Sequence, residues 1–165
     1  MDVEWVQVVF RVVHVATAIV LVGGSVFMRF AVMPAESELS ESDRANFRGR
    51  VLRYWGKFVH GGITVLLASG FYNYLVVTRP LHKGDGHYHM LVGIKILLAM
   101  VLFFLASALV GRSAKLKGLR ERARTTVTVM LILAAAIVSI SGYLKIRGEP
   151  IPAVSTAVGT SLTAG

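Results

Sequence analysis

The chain has 165 residues, of which 55% are hydrophobic, with no cysteine and a formal net charge of +9. Its four separate apolar stretches, each longer than about 18 residues, exclude an ordinary soluble domain and predict an integral membrane protein. The lack of cysteine excludes disulfides, thiolate metal sites and cysteine nucleophiles. The positive charge predicts basic loops that face anionic lipid, and no nucleic-acid partner.

The first apolar stretch covers residues 5–33, follows an acidic N-terminus and stops at Pro34. A secretory signal would begin with basic residues and end at a small-residue cleavage site, so this stretch is predicted to be a retained span. Loop one, residues 35–49, changes from acidic to basic. Ser40 or Ser42 is predicted to cap a short interfacial helix within it.

The second, third and fourth stretches cover residues 54–77, 88–110 and 125–146. None of them alternates with a period of two residues, so they predict helices and not barrel strands. The predicted fold is all-α: an integral membrane four-helix bundle over residues 1–149. A small, polar C-terminal tail, residues 150–165, follows it.

The cations of the chain are distributed unequally between the two ends of this bundle. Loops one and three, with their flanks, carry Arg44, Arg48, Arg50, Arg53, Lys57, Arg112, Lys115, Lys117, Arg120, Arg122 and Arg124. The other end carries Arg79, Lys83, Lys145 and Arg147. The positive-inside rule therefore predicts an inner (cytoplasmic) membrane protein with loops one and three in the cytoplasm. Both termini and loop two, residues 80–87, are then outside.

Polar residues of the first two spans form stripes along the predicted helices. Arg11, His14 and Arg29 fall within about 60° of arc at 100° per residue. Lys57 and His60 share a similar stripe on the second span. Because lipid offers no hydrogen bonds, such stripes are predicted to face the interior of the bundle.

Three cations, Arg11, Arg29 and Lys95, lie within or near the apolar stretches, which contain no carboxylate. A charge inside a bilayer costs at least about 2.5 kcal/mol unless it finds a partner or a route to water. Either these side chains reach the headgroups, or an anion from outside the chain pairs with them. The two propionates of a haem are one such anion.

Two histidines, His14 and His60, lie within the apolar stretches. Neutral imidazole is a common ligand for haem iron, so facing helices could use both side chains to hold a haem b. Their predicted depths differ by roughly 7 Å at 1.5 Å per residue across a core of about 30 Å. Ordinary hydrogen bonds, another metal and a quinone site remain as alternatives.

A second group of possible ligands lies at the outer end and consists of His82, His87, His89 and Met90. Nitrogen and thioether ligands close together suit copper, so His87, His89 and Met90 form an alternative copper site. The competing interpretation is a wet interfacial loop with incidental histidines. Phosphate-binding loops, GxSxG and paired helical carboxylates do not occur, which argues against hydrolytic chemistry.

The run VVHVATAIVLVGGSVFMRFAVMPA resembles the first span of the copper-resistance protein D superfamily and of the four-helix membrane protoporphyrinogen oxidases. The shared features are an early histidine, a glycine-containing stretch and a basic residue near the far end, here His14, Gly23, Gly24 and Arg29. The run HYHMLVGIKILLAM is similar in keeping Lys95 soon after the helix start, and RERARTTVT is similar at the start of the fourth span. The resemblance implies a four-helix membrane fold with His14 as a haem ligand.

The leading hypothesis is a membrane-embedded b-type haem protein with a redox role, either electron transfer or porphyrinogen oxidation. Its predicted cofactor-binding residues are His14, His60, Arg11, Arg29 and Lys95. The alternatives are a copper-handling membrane protein and a non-catalytic subunit of a larger membrane complex. The expected partners are the lipid bilayer and either further copies of the chain or a membrane redox complex.

Overall fold

A computed structural model describes residues 5–81 and 84–148, which are helical almost throughout and include no strand. Four helical stretches in this part of the chain are long and apolar enough to cross a membrane: Trp5–Ser37, Glu41–Thr78, Gly86–Val110 and Ala123–Ile146. The predicted all-α, four-helix membrane class is confirmed. The first two helices extend beyond their predicted spans at the end that bears loop one.

Seven α-helices and three short segments of other helical type make up these stretches. In chain order they are α1 (Trp5–Phe27), a π-helical segment (Met28–Val32), α2 (Met33–Ser37), α3 (Glu41–Tyr72), a second π-helical segment (Asn73–Thr78), α4 (Arg79–Leu81), α5 (Gly86–Val110), a 3₁₀ turn (Ala114–Leu116), α6 (Lys117–Glu121) and α7 (Ala123–Gly148). The predicted C-terminal tail lies outside the described residues.

Side-chain caps start two of the membrane helices. The Ser40 hydroxyl accepts a hydrogen bond from the Asp43 N–H at 3.3 Å, and the Asp85 carboxylate accepts one from the Tyr88 N–H at 3.0 Å. Both bonds satisfy amide groups that the first helical turn leaves without a partner. The predicted cap at Ser40 is confirmed. The helix that it starts is not a short interfacial one, because α3 continues without a break into the second span.

Both π-helical segments precede a proline. Pro34 and Pro80 each lack an N–H, and each ring meets the carbonyl four residues earlier, at Phe30 and Val76. Those two residues lie within the π-helical segments. The wider turn accommodates the ring without ending the helix, which is why the first two helices run through their prolines.

The four long helices pack in a ring, α1 against α3, α3 against α5, α5 against α7, and α7 against α1. A buried cluster centred on Val59, Ala106 and Met130 joins three of them. Close approach is possible because a side chain is missing: a methyl group at Gly24 would overlap the Trp55 ring. This apolar cluster lies in the half of the bundle next to loops one and three.

Loops one and three meet at one end of the bundle. The Arg48 guanidinium lies 3.6 Å from the buried carboxylate of Glu36 and donates a hydrogen bond to the Arg120 carbonyl at 3.2 Å. Arg120 in turn donates to the Ser113 carbonyl at 2.7 Å. These contacts connect the two basic loops directly and hold the loop-one end of α3 against the segment before α7.

Candidate functional site

A hydrogen bond joins α1 to α3 in the half of the bundle away from the apolar cluster. His14 Nδ1 lies 2.8 Å from Ser69 Oγ, and Ser69 is 2% exposed. The Ser69 hydroxyl has one proton, which it donates to the Val65 carbonyl at 2.6 Å. His14 Nδ1 is therefore the donor, and in the neutral imidazole the lone pair of Nε2 is left to accept a bond.

Space for the His14 ring comes from Gly70, the neighbour of Ser69. A methyl group at Gly70 would lie 3.2 Å from His14 Cε1, closer than carbon atoms normally approach. About one turn from His14, the Phe10 and Tyr72 rings stack with centroids 4.1 Å apart. The imidazole is thus held by a hydrogen bond on one edge and by helix packing beside it.

Lys95 of α5 is the ionisable group nearest in kind to a partner for this site. It is half-buried and lies within electrostatic reach of His14. Lys95 is nine residues after Gly86, and His14 is nine residues after Trp5, so both lie about 14 Å from the same end of the bundle at 1.5 Å per residue. We call His14, Ser69, Gly70 and Lys95 the His14–Lys95 cluster.

No anion of the described chain serves this cluster. Within residues 5–81 and 84–148, Lys95 Nζ forms no hydrogen bond or ion pair. The described carboxylates are in loops or at helix ends, namely Glu36, Glu38, Glu41, Asp43, Asp85 and Glu121. A cation at membrane depth without a carboxylate carries a cost that an acidic ligand would offset.

Aromatic and hydrogen-bonding side chains lie between this cluster and loop two. Tyr74 Oη is 3.3 Å from His89 Nδ1, and the two rings meet edge to face at 6.3 Å. Tyr88 contacts His89 edge to face from the other direction, at 5.9 Å. Tyr88 and Lys95 are seven residues apart on α5 and share a face, so polar groups extend from the end of the bundle to the cluster.

His60 does not join His14. Its side chain is exposed on the outer surface of the bundle, and its Nδ1 donates to the Gly56 carbonyl of the same helix at 2.7 Å. Ser69, which marks the level of His14, is nine residues further along α3, about 14 Å away at 1.5 Å per residue. Two axial imidazoles on one iron must lie within a few ångströms of the metal, so a haem shared by His14 and His60 does not fit this arrangement.

The prediction that the polar stripe of the second span faces inward is also wrong. Lys57, His60 and Thr64 are exposed, whereas Gly56 and Val59 are buried. The stripe meets its hydrogen-bonding needs within its own helix, since Thr64 donates to the His60 carbonyl at 3.0 Å. Small and apolar residues of α3 therefore occupy the interior.

The two arginines predicted to bind a cofactor lie away from the cluster. Arg11 is exposed on the outside of α1. Arg29 is fifteen residues beyond His14, about 22 Å away at 1.5 Å per residue. Its Nε donates to the Thr128 hydroxyl at 3.1 Å, and its guanidinium lies 5.3 Å from the centre of the Phe30 ring. Arg29 thus links the end of the first membrane helix to α7.

The candidate copper ligands are also separated. His87 and Met90 line an open groove of about 410 Å³ together with Leu91 and Tyr143, whereas His89 contacts Tyr74. Residues two apart on a helix project about 200° from each other, which explains the separation of the two histidines. No group of three or more His, Cys, Asp or Glu side chains that could hold a metal occurs in the described part of the chain. His82 lies outside the described residues.

Sequence reasoning missed Ser69 and Gly70. The available signal was a hydroxyl directly beside a glycine within an apolar run, which often marks a close helix contact. The contact itself was not predictable, because Ser69 is 55 residues from His14 along the chain.

The fold and the cluster define an α-helical, four-span membrane protein with an imidazole and an ammonium group in its interior. No protein-family model matches the chain, and no curated protein or solved structure matches it either. The resemblance to the copper-resistance protein D superfamily therefore stays a prediction.

Proposed function

We propose that this chain is a membrane-embedded b-type haem protein with a redox role, in which His14 alone among its described histidines ligates the iron. The observation that supports the proposal most is the His14–Ser69 hydrogen bond, because it fixes the ring and leaves Nε2 as the free ligand atom. A metal-binding histidine usually donates its other N–H to an acceptor in this way. Lys95 is the proposed partner of a haem propionate.

The charge of the cluster favours this ligand class. Lys95 has no carboxylate near it in the described chain, and a propionate would supply one through a charge-assisted hydrogen bond. Haem when bound would supply one-electron exchange. The protein side chains would orient it: Ser69 holds the imidazole plane, Gly70 leaves room for that ring, and Lys95 binds the acidic edge of the ligand.

An absorption spectrum of the purified, dithionite-reduced protein, before and after addition of haem, tests the proposal. Sharp haem bands are expected, and His14→Ala is expected to lower bound haem at least about tenfold, as loss of a ligand does. The matched control is His60→Ala, which removes an exposed imidazole and is expected to retain the bands. Absence of the bands after haem addition, or equal loss in both variants, would overturn the proposal.

Copper handling at the loop-two end is a second candidate, since His87 and Met90 line one groove and offer a nitrogen and a thioether ligand. It predicts copper in a metal analysis and loss of that copper in His87→Ala. A non-catalytic subunit of a membrane complex is a third candidate. It predicts neither cofactor, together with co-purification of large partners.

We further propose that loops one and three face the cytoplasm and that both termini and loop two lie outside. The support is the excess of lysine and arginine in loops one and three, which the structure brings together at one end. Because the chain has no cysteine, single cysteines report the two sides. In intact cells a membrane-impermeant thiol reagent is expected to label Gly86→Cys and to leave Ser113→Cys unlabelled. The reverse pattern would overturn this orientation.

A further inference from the structure

An open apolar groove of about 580 Å³ lies between the first membrane helix and α3, in the half of the bundle next to loop one. Its lining includes Phe27 and Ala31 on one side and Phe47, Tyr54, Trp55 and Phe58 on the other. Phe27, Tyr54 and Phe58 are 63%, 65% and 62% exposed. The groove is separate from the His14–Lys95 cluster, which lies in the other half of the bundle.

Packing between the two helices creates the groove. Gly24 lets the Trp55 ring lie directly on α1, so this ring forms the floor. Ala31 and Ala35 follow on the first helix, and their small side chains leave the space above the floor unfilled. Bulky rings on α3 form the opposite wall.

Cations without partners border the groove. Arg50, Arg53 and Lys57 are exposed and form no hydrogen bond or ion pair within residues 5–81 and 84–148. Arg50 and Lys57 lie four residues before and three residues after Tyr54, so both flank this lining residue on the helix surface. By contrast, the guanidinium groups of Arg44 and Arg48 are bound to loop one and loop three.

Acidic residues of α3 do not neutralise this border. The nearest ones in the helix, Glu41 and Asp43, are seven or more residues before Arg50, which is about 10 Å or more along the axis. Asp43 is already the acceptor of a hydrogen bond from Ser40 Oγ at 2.6 Å. The apolar groove therefore has a positive rim on the side that faces lipid.

We propose that this groove is a binding site for an anionic phospholipid of the leaflet next to loop one. An acyl chain lies against Phe27, Trp55 and Phe58, and the phosphate headgroup lies between Arg50 and Lys57. Each cation near the membrane surface favours an anionic lipid by about 1 kcal/mol. A zwitterionic lipid carries its own cation next to the phosphate and gains less from the same rim.

Quenching of Trp55 fluorescence by brominated acyl chains tests the proposal in vesicles. The chain has two tryptophans, so Trp5→Phe leaves Trp55 as the only one. Two vesicle preparations contain the full chain, phosphatidylcholine and phosphatidylglycerol in equal proportions. Bromine is on the phosphatidylglycerol in one and on an equal amount of the phosphatidylcholine in the other, so surface charge is constant. At about 1 kcal/mol per cation, quenching by brominated phosphatidylglycerol is expected to be at least about twofold stronger.

Two variants separate groove binding from general attraction to the surface. Arg50→Gln with Lys57→Gln is expected to remove the excess quenching. The matched control, Arg112→Gln with Lys115→Gln, removes two exposed loop-three cations at the same end of the bundle and is expected to keep it. Ala31→Leu, which fills the groove, is expected to reduce quenching by both lipids.

Three outcomes would overturn the proposal. Equal quenching by the two brominated lipids would show that the groove does not select anionic lipid. Equal loss of the excess in both double variants would assign it to bulk surface charge. A Trp55 that no brominated lipid quenches would show that protein, such as a second copy of the chain, covers the groove. None of these readings depends on whether a haem is bound, because every comparison uses the same protein preparation.

Discussion

The imidazole of His14 donates to the hydroxyl of Ser69 across the α1–α3 contact, at 2.8 Å. Ser69 passes this hydrogen bonding on to the Val65 carbonyl of its own helix. A side chain of α1 is thereby tied to the backbone of α3 through one buried hydroxyl. The first prediction concerns that hydroxyl.

Ser69→Ala is expected to lower the free energy of unfolding by about 1–3 kcal/mol, because it leaves the half-buried His14 N–H without its acceptor. The measurement is denaturant unfolding in detergent, followed by circular dichroism. Ser141→Ala is the matched control, since the Ser141 hydroxyl bonds only the Ile137 carbonyl of its own helix, at 2.8 Å. A Ser69 variant as stable as the Ser141 variant would contradict the role assigned to the hydroxyl.

Gly24→Ala is expected to destabilise the protein by about 1–3 kcal/mol, because the added methyl group would overlap a tryptophan ring that packs between helices. The adjacent Gly23→Ala is the control. Nothing lies within 4 Å of a methyl group at Gly23, so this change is expected to be neutral or slightly stabilising. Thermal unfolding of the two variants side by side would measure the difference, and equal midpoints would refute the close α1–α3 contact.

Lys95→Met is expected to stabilise the ligand-free protein by a few kcal/mol, since it replaces a cation at membrane depth that has no anion in the described chain. Under the haem proposal the same variant should bind haem more weakly, because the propionate loses its partner. Lys57→Met, at an exposed lysine, serves as the control and is expected to change neither quantity by much. Loss of stability in the Lys95 variant would show that the ammonium group has a structural partner.

Glu36→Gln is expected to reduce stability by about 1 kcal/mol, the lower part of the range for a charged hydrogen bond, because Arg48 is 40% exposed and keeps some solvation. The control is Glu121→Gln. Its ion pair with Lys117 is exposed on both sides, and such pairs contribute about 0–1 kcal/mol. Chemical denaturation of both variants provides the comparison. A larger loss for Glu121→Gln would argue against a buried link between loops one and three.

The four spans could be predicted because length and hydropathy alone determine which segments can cross a bilayer. The inward face of α3 could not. His60 looked like an interior residue because lipid offers it no partner, but Gly56 has no side chain to shield its carbonyl, and the imidazole bonds there. A polar group that is satisfied within its own helix has no need of the interior.

Arg29 shows a second reason for the difference. A regular 100° step per residue places it on the stripe of His14, but it lies within the π-helical segment Met28–Val32, where the step is smaller. Each wide turn therefore shifts the face on which later residues lie. Neither the position nor the size of such a turn follows from hydrophobic periodicity.

The wide turn before Pro34 also determines how the chain tolerates changes in length. Removing one residue from Met28–Val32 would return the helix to regular winding and rotate all that follows it by about 100°. Glu36 would then turn away from Arg48, and loop one would lose its attachment to loop three. The reading frame of contacts beyond the bilayer is thus determined by one extra residue within it.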